Sequence, residues 1–230
     1  MSFGKRILSF AILLSIGWSI PADAGYKRIN ELNPKDPMNV HIYELDNGLT
    51  VYLTENHEKP RFYAEISVRA GSNQDPAEST GLAHYLEHLL FKGTQKIGTL
   101  DYAKEHDHIK NIEALYEKHF SETDQEKRKE IYAEINKEAQ LAAEYSIPNE
   151  LDNLYKSMGG LSVNAHTWFD ETVYKVDLPA NRINHWAEIE AERFVAPVYR
   201  LFHTELETVY EEKNRTLDNK DRVIFFAVLK

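Results

Sequence analysis

The segment His84-Tyr85-Leu86-Glu87-His88 constrains this chain more than any other stretch of its sequence. On an α-helix, residues three and four apart lie on the same face, so both imidazoles and the Glu87 carboxylate lie on one side. The order H-x-x-E-H is the reverse of the H-E-x-x-H zinc helix, in which two histidines bind the metal beside a carboxylate base. The segment therefore predicts a metal-binding helix.

The motif helix is predicted to begin at Thr80 as its N-cap, to run to about Lys92 and to end at Gly93. Phe91 falls within about 60° of the histidine side and could line a pocket or pack in the core. Four leucines fall on the opposite side, where we expect them to be buried while the histidine face opens into a cleft. These leucines are Leu82, Leu86, Leu89 and Leu90.

The composition limits the ligands and partners that the chain can use. It has 230 residues and no cysteine, so any metal must be held by histidine, aspartate or glutamate. The formal net charge is −10 and no basic patch appears, which argues against a nucleic-acid partner. The apolar fraction of 42% is that of an ordinary globular protein, which can form a core without disulfides.

The first 24 residues are typical of an export signal. Lys5 and Arg6 precede a mostly apolar run from Ile7 to Ile20, and Ala22-Asp23-Ala24 is a small-residue cleavage pattern. The apolar run is shorter than the roughly 20 residues that a membrane-spanning helix needs. We therefore expect no stable membrane span after cleavage and a periplasmic or secreted protein. The alternative is that the segment is kept as an uncleaved anchor.

Strand-like patterns occur in two hairpins, and helical patterns follow each of them. The dipeptide Asn47-Gly48 between two alternating runs is a strong hairpin signal. Because strands are grouped with helices rather than strictly alternating with them, we predict an α+β fold. It would have a mixed, largely antiparallel sheet with helices packed on one face. The predicted strands are 41–45, 49–54, 61–68, 161–166 and 172–178, and the later helices are 181–194 and 201–217.

Residues 101–145 differ from the rest of the chain in character. They are highly charged and have apolar residues at helical spacing, with an interruption at Ser121-Glu122-Thr123-Asp124. The pattern predicts two amphipathic helices packed as a hairpin. A capping box formed by Thr123 and Glu126 would begin the second helix.

Two histidines need a further ligand, since a catalytic zinc usually has three protein ligands and an open position for water. One later helical segment carries four glutamates. Glu205 and Glu212 are two turns apart and lie on one side of it, whereas Glu211 points elsewhere. Glu207 fits a capping box with Thr204. Spacing alone leaves open whether any of these carboxylates binds a metal or all four lie on a solvated face.

The sequence resembles the insulinase/pitrilysin family of zinc peptidases from about Pro37 to the C-terminus. The matching pieces are His84 to Thr94, Gly159 to Thr167 with Tyr174 after it, and Glu205 to Arg215. The resemblance implies one Zn²⁺ per chain. The implied roles are ligands at His84, His88 and Glu212, the catalytic base at Glu87 and a supporting acid at Glu205.

The Gly-Gly-x-x-x-Asn-Ala segment resembles the edge strand to which a peptide substrate adds in that family. The resemblance implies that Asn164 and Ala165 contact the substrate backbone. The spacing from His88 to Glu212 is longer than is typical of the family, so we interpret residues 101–145 as an insertion. Residues 25–39 would form a polar, irregular lead-in, and residues 40–230 the catalytic domain.

Family members have a similar second domain and usually another half, and the halves enclose the substrate. We expect such a closing half here, and we expect residues 223–230 to be the middle of a helix of a C-terminally incomplete domain. The first functional hypothesis is a zinc endopeptidase or oligopeptidase that uses metal-activated water. The second is a truncated or partner-dependent half that binds peptide or assembles with another subunit without activity alone. A structural zinc site fits less well, because structural sites are closed.

Overall fold

A computed structural model of the chain describes residues 25–221 together with residues 224 and 228. The expected signal, residues 1–24, and most of the expected terminal helix lie outside the described residues. The chain divides into two compact units, residues 1–59 and residues 60–230. Within the described part, no helix combines the length and the apolar character that crossing a membrane requires.

The first unit contains a three-stranded antiparallel sheet with the strand order β1-β2-β3. Its strands are β1 (Tyr26–Arg28), β2 (His41–Leu45) and β3 (Thr50–Leu53). The predicted hairpin between β2 and β3 is confirmed, and Gly48 in its turn has a φ of +85°, which glycine adopts without a Cβ clash. The expectation of an irregular lead-in is wrong for Tyr26–Arg28, because these residues pair with β2.

The second unit contains another three-stranded antiparallel sheet, with the order β4-β6-β5. Its strands are β4 (Arg61–Val68), β5 (Leu161–Thr167) and β6 (Thr172–Pro179). The central strand β6 is the most buried of the three. In the described part of the chain β5 pairs only with β6, so it is an edge strand. The α+β class is confirmed, but the single mixed sheet that we expected is instead two antiparallel sheets.

Six α-helices belong to the second unit among the residues described. They are α1 (Leu82–Leu89), α2 (Tyr102–Ser121), α3 (Gln125–Ala143), α4 (Glu150–Ser157), α5 (Ile183–Val195) and α6 (Phe202–Leu217). The turn Leu90–Lys92 continues α1 as a 3₁₀ helix, and two further 3₁₀ turns are Ser72–Gln74 and Ala180–Arg182. Helix α4 was not predicted from the sequence.

Two clusters of buried side chains hold these elements together. The predicted helical hairpin is present as α2 and α3, and its own core is Ile112, Ile131, Ile135, Ala139 and Ala142. The second cluster joins α4 to the central strand β6 and consists of Leu151, Tyr155, Val176 and Leu178. Leu151 and Tyr155 are four residues apart, so one face of the short helix α4 packs on the sheet.

A buried ion pair joins Glu105 of the helical hairpin to Arg200, and Arg200 also binds the segment that follows α1. Arg200 and Glu105 are only 3% and 1% exposed, and the guanidinium donates to both carboxylate oxygens at 2.8 and 3.1 Å. Arg200 also donates to the carbonyl of Thr94 at 2.7 Å. A Cβ at Gly98 would lie 2.6 Å from the Lys92 carbonyl oxygen, so this close approach requires glycine.

Two of the predicted helix caps are replaced by other residues. The side chain of Asp124, not Thr123, caps α3, since it accepts from the backbone N–H groups of Glu126 and Lys127 at 2.9 and 3.1 Å. At α6 the N-cap residue is Leu201, so Thr204 lies inside the first turn and does not form the capping box expected with Glu207.

The motif helix α1 has a cap from outside its own segment. Gly81 is its N-cap residue, with a φ of +98°, and the carboxylate of Asp75 accepts from the N–H groups of Gly81 and Ala83 at 2.6 and 2.8 Å. Thr80, which we expected to cap the helix, does not do so. The acidic Asp75 also lies where the positive end of the helix dipole favours a negative charge.

Candidate metal centre

Helices α1 and α6 pack against each other and bring the predicted ligands together. The Nε2 atoms of His84 and His88 lie 3.3 Å apart. The Oε2 atom of Glu212 on α6 lies 3.6 Å from each of these nitrogen atoms. Among the described residues, these three side chains form the one group of histidines and acids that could hold a metal ion.

These distances can be compared with the geometry of a tetrahedral zinc site. With zinc–ligand bonds of about 2.0–2.1 Å, two ligand atoms of a tetrahedron lie about 3.3–3.4 Å apart. The separations of 3.3, 3.6 and 3.6 Å are close to that value. Two imidazoles and one carboxylate are also a donor set found at catalytic zinc. The residues therefore fit a zinc ion.

The site is open to solvent rather than closed. The side chains of His84 and Glu212 are 38% and 43% exposed, and that of His88 is 22% exposed. A structural zinc site is usually enclosed and has four protein ligands. A set of three partly exposed side chains is instead typical of a catalytic site, in which water or substrate has access to the metal.

Glu205 contacts the other nitrogen of the His88 ring. Its Oε2 atom lies 3.3 Å from Nδ1 of His88, and its Oε1 atom pairs with the ammonium group of Lys92. The hydrogen bond to Glu205 raises the pKa of His88 above 6.5. Burial raises the pKa of Glu205, but hydrogen bonds from His88 and Lys92 outweigh it, so the net pKa lies below 4.5. Glu205 is thus an ionised carboxylate that can hold the Nδ1 proton of His88.

Glu87 lies on α1 beside the two histidines but is almost enclosed. Only 7% of its surface is exposed, and its Oε2 atom accepts a hydrogen bond from the Thr167 hydroxyl at 2.6 Å. Thr167 is the last residue of the edge strand β5. The sequence segment that ends at Thr167 was recognised, but the contact of this hydroxyl with Glu87 was not predicted.

Tyr85, inside the motif, makes a second contact between α1 and α6 that was not predicted. Its hydroxyl donates to the Phe202 carbonyl at 2.5 Å, and burial raises the pKa of Tyr85 to about 12. Phe202 is the first residue of α6, the helix that carries both glutamates. This bond therefore helps to set the position of α6 against the two histidines.

The leucines of the motif helix are less buried than expected. Leu89 is 3% exposed, as predicted, but Leu82 and Leu86 are 38% and 39% exposed. The expectation that they pack in the core is wrong for these two residues. The reason is that α1 packs against α6, β5, β6 and the turn Ser72–Gln74, which leave Leu82 and Leu86 only partly covered.

Two of the predicted substrate residues, Phe91 and Asn164, line the same small pocket. Asn164 and Ala165 are on the edge strand β5, where they pair with Lys175 and Tyr174 of β6. Phe91 packs against the core cluster beneath the sheet, and its ring lies 5.9 Å from that of Tyr174. The contact of these three residues with a substrate stays a prediction.

A comparison with protein-family models matches residues 50–111 to insulinase (peptidase family M16). The matched stretch includes α1 with both histidines and Glu87. The part of the chain that carries the motif helix is thus similar to the insulinase family. The resemblance inferred from the motifs is therefore confirmed.

Curated proteins similar to this chain are much longer than it. Protease 3 of Salmonella typhimurium is 32% identical over 106 residues, which are 42% of this chain and 11% of that protein. The putative zinc protease mug138 of Schizosaccharomyces pombe is 38% identical over 79 residues, which are 34% of this chain and 8% of that protein. The match thus spans about a tenth of the length of these relatives.

Two solved structures resemble the chain over most of its length. A protease from Helicobacter pylori has a TM-score of 0.52 at 20% identity and covers 85% of this chain, which corresponds to 32% of the solved chain. The first half of the periplasmic protease PqqL from Escherichia coli has a TM-score of 0.52 at 22% identity, with coverages of 84% and 32%. At these identities the likeness concerns the fold.

Proposed function

We propose that this chain is the zinc-binding part of an exported insulinase-like endopeptidase or oligopeptidase that hydrolyses extended peptides. One observation carries the proposal. Two imidazole nitrogens and a carboxylate oxygen lie within 3.3–3.6 Å of one another, beside the almost buried carboxylate of Glu87. The relatives support it, since they are named proteases and one is named a putative zinc protease.

The ligands are His84, His88 and Glu212, with one zinc per chain. A zinc ion held there supplies a water molecule with a lowered pKa and polarises the carbonyl of the peptide bond. Glu205 accepts the Nδ1 proton of His88, which leaves the Nε2 lone pair directed at the metal position. Lys92 keeps Glu205 ionised and in place.

Glu87 is the catalytic base in this proposal. It takes the proton of the attacking water and passes it to the amine that leaves when the peptide bond breaks. Its position is fixed from two sides, by helix α1 and by the hydroxyl of Thr167 at 2.6 Å. A base held in this way needs little rearrangement before it accepts the proton.

The edge strand β5 is the proposed binding surface for the substrate. An extended peptide can add to a free strand edge through main-chain hydrogen bonds, which depend little on the peptide's sequence. Asn164 and Ala165 lie on this strand, and Thr167 at its end contacts Glu87. A peptide paired with β5 would therefore run towards the base. Phe91 is proposed to line a pocket for one of the substrate side chains.

The location and domain organisation are further parts of the proposal. Residues 1–24 would direct export, in keeping with the relative PqqL, which is described as periplasmic. Residues 25–39 would lead into a catalytic domain of residues 40–230, with the helical hairpin within residues 101–145 as an insertion. A second domain or homologous half is the proposed partner that closes the site over the peptide.

A second candidate is a partner-dependent half without activity of its own. The observation that favours it is the side of α1 opposite the histidines, where Leu82 and Leu86 are 38% and 39% exposed. In that case the chain would bind peptide or a second subunit, and hydrolysis would require the complex.

The test is cleavage of a generic peptide mixture by the zinc-loaded chain, followed by mass spectrometry. We expect internal cleavage that a zinc chelator abolishes and added Zn²⁺ restores, and no cleavage by Glu87→Gln. Cleavage that persists in the chelator would contradict metal dependence. Bound zinc without cleavage would favour the partner-dependent half, and a chain that binds no zinc would contradict both candidates.

A further inference from the structure

The hydroxyl of Thr167 contacts the carboxylate of Glu87, and the hydroxyl of Thr172 lies next to that of Thr167. Thr167 donates to Glu87 at 2.6 Å, and Thr172 donates to the carbonyl of Ala70 at 2.8 Å. The two hydroxyl oxygens lie 3.3 Å from each other. Each hydroxyl has one proton and two acceptor lone pairs. The two hydroxyls thus form a continuous series of contacts between Glu87 and the Ala70 carbonyl.

The backbone holds this pair firmly. Thr167 and Thr172 are directly opposite each other where β5 and β6 meet at their hairpin. The loop between them is tied down by Ser72, whose N–H donates to the Trp168 carbonyl at 2.9 Å. Thr172 is 5% exposed, and the branched threonine side chain has few allowed rotamers. The two hydroxyl oxygens are therefore held in fixed positions.

We propose that Thr167 is a positioning residue whose hydroxyl fixes the carboxylate of Glu87, with Thr172 as the partner that fixes Thr167. The proposal rests on the proposed role of Glu87 as the base. The Thr167 hydroxyl lies 2.6 Å from Glu87 and 3.3 Å from the Thr172 hydroxyl, which in turn donates to the Ala70 carbonyl at 2.8 Å. This series of contacts ties the Glu87 side chain to the backbone beside the β5–β6 hairpin.

The kinetic test compares Thr167→Val, Thr167→Ser and Thr172→Val. Valine keeps the shape of threonine but cannot donate, so Thr167→Val should lower kcat about 10–100-fold with KM changed less than about twofold. Thr167→Ser keeps the hydroxyl and should recover kcat to within about threefold of the wild type. Thr172→Val removes only the second hydroxyl and should have a smaller effect. Thr123→Val, at an exposed position before α3, is the control.

A second measurement needs no turnover. The chain is loaded with Co²⁺, which has a visible spectrum, and titrated with acetohydroxamic acid, which gives up a proton to a neighbouring base as it binds a metal. We expect Thr167→Val to weaken acetohydroxamate binding about tenfold while Co²⁺ affinity is unchanged, and Thr167→Ser to bind as the wild type does.

The outcomes separate this inference from the proposed function. If the wild type binds Co²⁺ and acetohydroxamate and Thr167→Val binds both equally well, the role of Thr167 is overturned while the metal site stands. If Thr167→Ser is as impaired as Thr167→Val, the side chain acts through its shape and the proposal is also overturned. A wild-type chain that binds no Co²⁺ would overturn the proposed function and this inference together.

Discussion

The Oε2 atom of Glu205 lies 3.3 Å from Nδ1 of His88, on the opposite edge of the ring from the Nε2 atom that faces Glu212. One imidazole therefore contacts two carboxylates that are two turns apart on α6. Glu212 also faces His84, whereas Glu205 pairs with Lys92. This difference in contacts is the basis for the two proposed roles, Glu212 as a ligand and Glu205 as the residue that orients a ligand.

Replacing Glu205 should weaken zinc binding without removing a ligand. In Glu205→Gln the side chain no longer carries the charge that holds the Nδ1 proton of His88. Loss of such a partner typically lowers metal affinity about 10–100-fold. The measurement is a competition titration with a chromogenic zinc chelator. Glu211→Gln, at an exposed position of the same helix, is the control. Equal affinities of Glu205→Gln and the wild type would contradict the orienting role.

Zinc binding should depend on pH through His88. Its pKa is raised above 6.5 by Glu205, so the proton competes with zinc from a higher pH than at an ordinary histidine. As the pH is lowered, we expect zinc affinity to begin falling at a higher pH than it would for a histidine without such a partner. In Glu205→Gln the fall should begin at a lower pH. Titrations of zinc at a series of pH values check this, and identical profiles would contradict the coupling.

Glu87→Gln should separate zinc binding from catalysis. The substitution keeps the size of the side chain and removes the group that accepts the proton. We expect unchanged zinc content and a loss of kcat of about 10²–10⁴-fold. Zinc analysis and peptide cleavage are measured on the same preparation. Full turnover in this variant would show that another group acts as the base.

The buried pair between Arg200 and Glu105 should matter for stability. Arg200→Met leaves the Glu105 carboxylate buried without its partner, which typically costs about 3–5 kcal/mol. We expect this loss in the free energy of unfolding measured with urea. The control is Lys129→Ala, which removes an exposed pair with Glu126 and should cost about 0–0.5 kcal/mol. A loss below about 1 kcal/mol in Arg200→Met would contradict the importance of the pair.

The sequence predicted the elements whose signals are local. The spacing of His84 and His88 fixes their common helix face, and the two-turn spacing of Glu205 and Glu212 places both carboxylates on one side of α6. The Asn-Gly hairpin also depends only on neighbouring residues. Choosing Glu212 as the ligand came from the family resemblance, because spacing alone did not distinguish it from its neighbours.

The features that were missed depend on contacts between distant segments. The cap of α1 comes from Asp75, which lies outside the helix and reaches it through a folded loop. Thr167 is 80 residues from Glu87, and nothing local marks its hydroxyl as the partner of that carboxylate. The exposure of Leu82 likewise depends on which elements cover α1, not on the periodicity of its own residues.

The proposed zinc site requires that His84, His88 and Glu212 hold one zinc ion. Elemental analysis of the purified chain tests it most directly, with Glu212→Gln as the variant and Glu211→Gln as its matched control. The prediction is one zinc per wild-type chain, the same in the control, and a large loss of zinc in Glu212→Gln. A wild-type chain without zinc, or full zinc content in Glu212→Gln, would contradict the claim.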